Sequence, residues 1–111
     1  TPLKDVAGML RSFHYAIYAV IFDPKKNFKL SQPELFEAGE KYYRTLSAIF
    51  LNKYISTAMS NNLDIGYSSE IKYLLKYHLL EKAVYEIGYE LKARPDWAII
   101  PLTGIKQILE D

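Results

Sequence analysis

Wound as a helix, the stretch from Leu3 to Phe22 is apolar nearly all the way round. Val6, Leu10, Phe13, Ile17 and Val20 recur at helical spacing, and Tyr15, Tyr18 and Phe22 form a second stripe on another side. A helix of this kind expects neighbours on every side. The densest part, Phe13 to Phe22, is ten residues long and contains His14, whereas crossing a bilayer takes roughly 20. It also lacks the basic lead-in of a secretion signal. The segment is therefore too short to span a membrane, and no membrane partner is expected.

The remaining pattern is helical as well. The loop FDPKKNFKL interrupts the first helix with Pro24, three lysines and an asparagine. Ser31, followed three residues later by Glu34 and with Pro33 in the first turn, is a capping-box start. The helix it opens should run to about Met59. Leu35, Gly39, Tyr42, Leu46, Ile49 and Phe50 would form its inner face, and Glu37, Lys41, Arg44 and Asn52 its outer face. SNNLDIG is a turn-forming linker. A third long helix is expected from about Ser69 to Ala93, stopped by Pro95, and Thr103 could cap a last short helix ending at Leu109. The expectation is an all-α chain, three long helices plus a short C-terminal one, forming a single helical domain or subdomain over residues 1–111. In a bundle of three helices each member keeps a polar outer face, and the first helix here has almost none. Either the protein self-associates or something that normally covers this helix is absent. The start at Thr1 rather than a methionine hints at a fragment.

Composition narrows the chemistry. Lys and Arg number 14 against 13 Asp and Glu, so there is no basic surplus with which to hold a nucleic acid. The absence of cysteine excludes disulfides and thiolate metal sites, and fits a cytoplasmic protein. The ten tyrosines suit interfaces and sugar sites, since each has a flat apolar face and a hydroxyl tip. There is no Gly-rich phosphate loop and no H-E-x-x-H pair. His14 and His78 stand alone, more as packing residues than as ligands or bases, so no metal site is expected. Asp5, in the first turn of a helix, favours the helix dipole.

One ridge of the third helix carries more. Leu75, Leu79, Lys82, Glu86, Glu90 and Arg94 lie along it, apolar at first and charged after Lys82, and Tyr85 and Tyr89 occupy the adjacent ridge. Spacing alone permits a solvated ladder of charges, worth a few tenths of a kcal/mol per pair. Spacing favours that ladder, and it also permits a sugar site, in which charged groups bind hydroxyls and a tyrosine packs on the ring.

Two segments resemble a known family. PLKDVAGMLRSFHYA, Pro2 to Ala16, is similar to the P-L-x-D-V-A-G-M-L-R-S-F-x-Y-A stretch of maltokinases, including those fused to trehalose synthase. LLEKAVYEIGYELKARPDWAIIPLTGI, Leu79 to Ile105, is similar to that family's closing signature, L-x-E-K-A-x-Y-E-x-x-Y-E-x-x-x-R-P-D-W-x-x-I-P-L-x-G-I. Between them, Asp23 to Tyr67 is compatible only in its helical pattern. His14 stands where the family often has an acidic residue, and Thr103 where it often has a basic one.

The resemblance implies the C-terminal helical subdomain of a fold related to aminoglycoside phosphotransferases and protein kinases. In the intact enzyme ATP and Mg2+ would be held by a preceding catalytic portion, with an H-G-D loop as base; neither is expected to bind this chain. The implied reaction is ATP plus maltose giving maltose 1-phosphate and ADP. Asp5 then resembles the helix aspartate that anchors the catalytic loop. Tyr85, Glu86, Tyr89 and Arg94 resemble residues facing the acceptor sugar. The chain alone is expected to be inactive. A related kinase of another sugar, or a non-catalytic helical module working through protein contacts, is the alternative.

Overall fold

The computed structural model describes residues 2–111, and among them there are helices and no strand. Helix α1 spans Pro2–Ile21, α2 Gln32–Ser60, α3 Ser68–Ala93 and α4 Ile99–Glu110, with a single 3₁₀ turn over Pro95–Ala98 between α3 and α4. The chain is all-α, as its periodicity requires. Ser31 caps α2, its hydroxyl accepting from the Glu34 amide at 3.3 Å. Between α2 and α3 the backbone reverses through Asn62 (φ 56°) and Gly66 (φ 105°), left-handed conformations that Asn tolerates and Gly adopts freely.

Helix α4 begins earlier than the sequence suggests. Ile99, not a residue near Thr103, opens it, and Thr103 lies inside, its hydroxyl donating to the Ile99 carbonyl at 2.7 Å. Pro101 sits in the first turn, where a missing N–H costs nothing because no carbonyl within the helix waits for it.

Helix α1 is the centre. Leu3, Val6, Ala7, Leu10, Arg11, His14 and Tyr18 are its buried residues. Its pairings with α2, α3 and α4 account for most of the packing, together with that of α3 against α4 and the 3₁₀ turn. Towards α2, Phe13 meets Phe50 edge-on at 5.6 Å and Phe22 meets Phe36 at 5.4 Å, geometry that aromatic pairs prefer. Two expectations are corrected here. Val20 is exposed, not central, while the polar Arg11 and His14 are buried in its place. On α2, Leu35, Gly39, Leu46 and Phe50 are covered as expected, whereas Tyr42 and Ile49 point to solvent and Tyr43 and Ser47 are covered instead.

Helix α2 packs mainly on α1, so much of its surface is free. The radius of gyration is 15.2 Å, against roughly 13 Å for a compact chain of this length. An apolar groove of about 540 Å³ runs between the two helices, lined by Phe13, Ile17, Val20, Leu35, Tyr42 and Leu46. An exposed apolar surface beyond a few hundred Å² is unusual on a monomer. The protein is therefore expected to bind a hydrophobic dye and to self-associate in light scattering. A dye-negative monomer would contradict this.

Candidate functional site

The sequence-predicted sugar ridge lies on the seam between α1 and α3. Small residues bring these helices together: Ala7 and Ala83 are fully buried, and the bare face of Gly8 accommodates the Lys82 ammonium, which would lie 3.2 Å from a Cβ there. Beside the seam opens a cleft of about 570 Å³, walled by Gly8, Arg11 and Tyr15 from α1 and by Lys82, Tyr85 and Glu86 from α3. A smaller recess of about 300 Å³ continues from it among Tyr15, Tyr85, Glu86, Tyr89, Glu90 and Arg94. Ligand pockets commonly hold roughly 300–1,000 Å³.

All four predicted sugar residues border this recess. Tyr85 and Tyr89 are 76% and 55% exposed, so their rings are available to a ligand. Glu86 is only 17% exposed and is gripped by Arg11, whose Nε donates to Oε1 at 2.7 Å and Nη2 to Oε2 at 3.2 Å. The Arg11 guanidinium also lies 5.8 Å from the centre of the Tyr15 ring. Asp5 lies away from this recess, exposed on the first turn of α1.

The solvated-ladder alternative does not hold at Glu90. That carboxylate is fully buried. The Tyr15 hydroxyl donates to it at 2.9 Å, and Arg94 donates from Nε at 3.0 Å and from Nη2 at 3.1 Å. Burial first, and then the bond to Glu90, push the Tyr15 phenol above its ordinary pKa, which keeps it a proton donor. Arg94 is held from its other side by Trp97, with its guanidinium carbon 4.0 Å from the ring centre. Each carboxylate of the recess thus has its own guanidinium, Arg11 for Glu86 and Arg94 for Glu90.

A comparison with known protein families and with solved structures finds no match for this chain. The site stands on its own geometry.

A second polar cluster escaped the sequence reading. His14 is buried and stacks on Tyr18, with ring centres 4.4 Å apart. Its Nε2 lies 3.0 Å from Gln107 Oε1, and the Gln107 amide donates to the Tyr18 hydroxyl at 2.7 Å, so the imidazole takes the donor role at Nε2. Burial, then the nearby positive Arg11, lower the His14 pKa from 6.5 to about 3. A histidine held neutral in this way is a packing residue near pH 7. The partners of Arg11 and His14 lie 75 and 93 residues away along the chain, and no local spacing signals them. Among the described residues no three His, Cys, Asp or Glu side chains converge as a metal site would require, and no helix is long and apolar enough to cross a membrane.

Proposed function

We propose that this chain is the acceptor-sugar-binding part of a phosphotransferase of the maltokinase type, which transfers phosphate from ATP to maltose in the cytoplasm. The observation that carries the reading is the recess itself, where two exposed tyrosine rings stand beside a carboxylate held in a fixed plane by a guanidinium. A sugar offers apolar C–H faces for the rings and hydroxyls for the carboxylate. Each Glu86 oxygen accepts one bond from Arg11 and retains capacity for another. The motifs from Pro2 to Ala16 and from Leu79 to Ile105 support the same reading, because their residues build both walls of the cleft.

Phosphoryl transfer is largely a matter of positioning and charge neutralisation. On this reading the described residues orient the acceptor. ATP and Mg2+ belong to a catalytic portion of the intact enzyme, and the exposed Asp5 is open to contact from it. A non-catalytic interaction module is the second reading, favoured by the exposed Tyr42, Ile49 and Met59 of α2.

Titrating the isotopically labelled chain with maltose, followed by NMR, separates the two. The expected result is saturable shifts around Tyr85, Glu86 and Tyr89. Glu86→Gln should weaken binding about ten- to a hundredfold, the loss of one charge-assisted hydrogen bond. Saturation by a different neutral sugar would assign the site to a related kinase. No saturable shift with any of them would leave the interaction module.

A further inference from the structure

The geometry points to Arg11 as the positioning residue of the acceptor site, holding the Glu86 carboxylate in the orientation that receives a sugar hydroxyl, with Gly104 supplying the space that makes this possible. The inference rests on the acceptor-site reading above and adds two residues that lie outside the sugar-facing ridge.

Arg11 is nearly excluded from solvent, with a side chain 4% exposed. Its fork is bidentate on Glu86, so the plane of the guanidinium sets the plane of the carboxylate. A glutamate without such a partner at the edge of an open cleft would sample several rotamers. Arg11 itself is fixed from more than one direction. The Tyr15 ring lies beside it, and its Nη1 rests against the bare Cα of Gly104 on α4. A Cβ built at Gly104 would overlap that nitrogen. The overlapped atom belongs to a guanidinium that is pinned by Glu86, so relief would require Arg11 to retreat and the carboxylate to turn with it. Gly104 sits within a continuous helix, where glycine is disfavoured relative to alanine; room for Arg11 is what the residue provides.

Arg11 also divides two spaces. On one side lies the cleft with Tyr15, Lys82 and Glu86. On the other is a cavity of about 170 Å³ among His14, Tyr43, Leu79, Gly104 and Ile108. A residue that only clamped α1 to α3 could do so with its partner wholly covered. Here the partner carboxylate forms part of the cleft wall, so the clamp sets a group that a ligand can reach.

The test is a thermodynamic cycle in maltose affinity, read by NMR titration on Arg11→Met, Glu86→Gln and the double variant, with thermal melts to establish folding. If Arg11 acts through Glu86, Arg11→Met weakens maltose about tenfold or more, and the double variant binds no more weakly than Glu86→Gln alone. Gly104→Ala should weaken maltose in the native background and have no effect once Glu86 is Gln. A purely structural Arg11 would give losses that multiply in the double variant, and this would overturn the inference. So would a folded Arg11→Met that binds within about twofold of the parent. Should Arg11→Met not fold, Gly104→Ala with and without Glu86→Gln decides the same question, because Arg11 and its charge remain. A parent chain that binds no neutral sugar removes the acceptor-site reading and this inference together. A parent that binds, with variants that fail the cycle, removes this inference alone.

Discussion

Arg94→Ala is expected to destabilise the fold by about 3 kcal/mol, roughly the low end of what removing one member of a buried ion pair costs. The reason is Glu90. It is fully buried, and without Arg94 it would keep only the Tyr15 hydroxyl of the side-chain donors that now reach it. Arg94 is itself 47% exposed, so water can partly replace it, which places the effect at the lower end rather than the upper. Urea unfolding at pH 7 is the measurement. Pairing Arg94→Ala with Glu90→Leu should recover much of the loss, since no buried charge then remains. A loss below about 0.5 kcal/mol for Arg94→Ala would mean that the pair behaves as an exposed one. The same geometry bears on the sugar site: a weakened maltose interaction in Arg94→Ala mixes folding with binding. Glu86→Gln, which leaves the Glu90 cluster intact but removes the partner of the buried Arg11, is read together with a thermal melt.

Acid should unfold this protein through His14. Its pKa is lowered from 6.5 to about 3 in the fold. Below pH 6.5 the unfolded chain takes up a proton on this histidine, while the folded one refuses it until pH nears 3. The unfolded state therefore binds more protons across that window, and stability falls as pH falls, by up to ~1.4 kcal/mol per pH unit. Above 6.5 the contribution is fully present. Carboxylates add their own acid dependence, so the informative quantity is a difference. Denaturant midpoints at pH 7, 5.5 and 4.5 should converge between the parent and His14→Gln as the pH drops. Parallel curves would place the acid sensitivity elsewhere.

The helices were legible because their signals are local. Ser31 with Glu34, the prolines at positions 24, 33 and 95, and the SNNLDIG linker mark ends that a few neighbouring residues determine. The start of α4 was misread because Thr103 looks like an N-cap, although the helix opens at Ile99 and Pro101 in its first turn interrupts nothing. The inner face of α2 was misread at Tyr42 and Ile49 because α2 has one main neighbour, so these residues have no second partner to cover them. Tyr85, Glu86, Tyr89 and Arg94 were legible as a group, since one helix places them together. Their environment was not. Glu90 and Arg94 show the same i,i+4 spacing whether they sit on a surface or in an interior, and the burial of Glu90, with a donor in Tyr15 75 residues away, arises only once the chain is folded. Arg11 offered no signal at all. A charged residue on an apolar stripe looks like an outward-facing one until its distant carboxylate is known.

Trp97 is the only tryptophan in the chain, and it lies against the guanidinium that holds Glu90. Glu90 in turn holds Tyr15 of α1. The seam between α1 and α3 is thereby wired to a single indole, so its emission is a built-in optical gauge. Loss of the Tyr15 bond changes the surroundings of Glu90 and of the Arg94 cation on the ring, and a change in colour or intensity is the expected readout, without any label. Because the rest of the chain contributes no other indole, the signal belongs to this corner of the molecule alone.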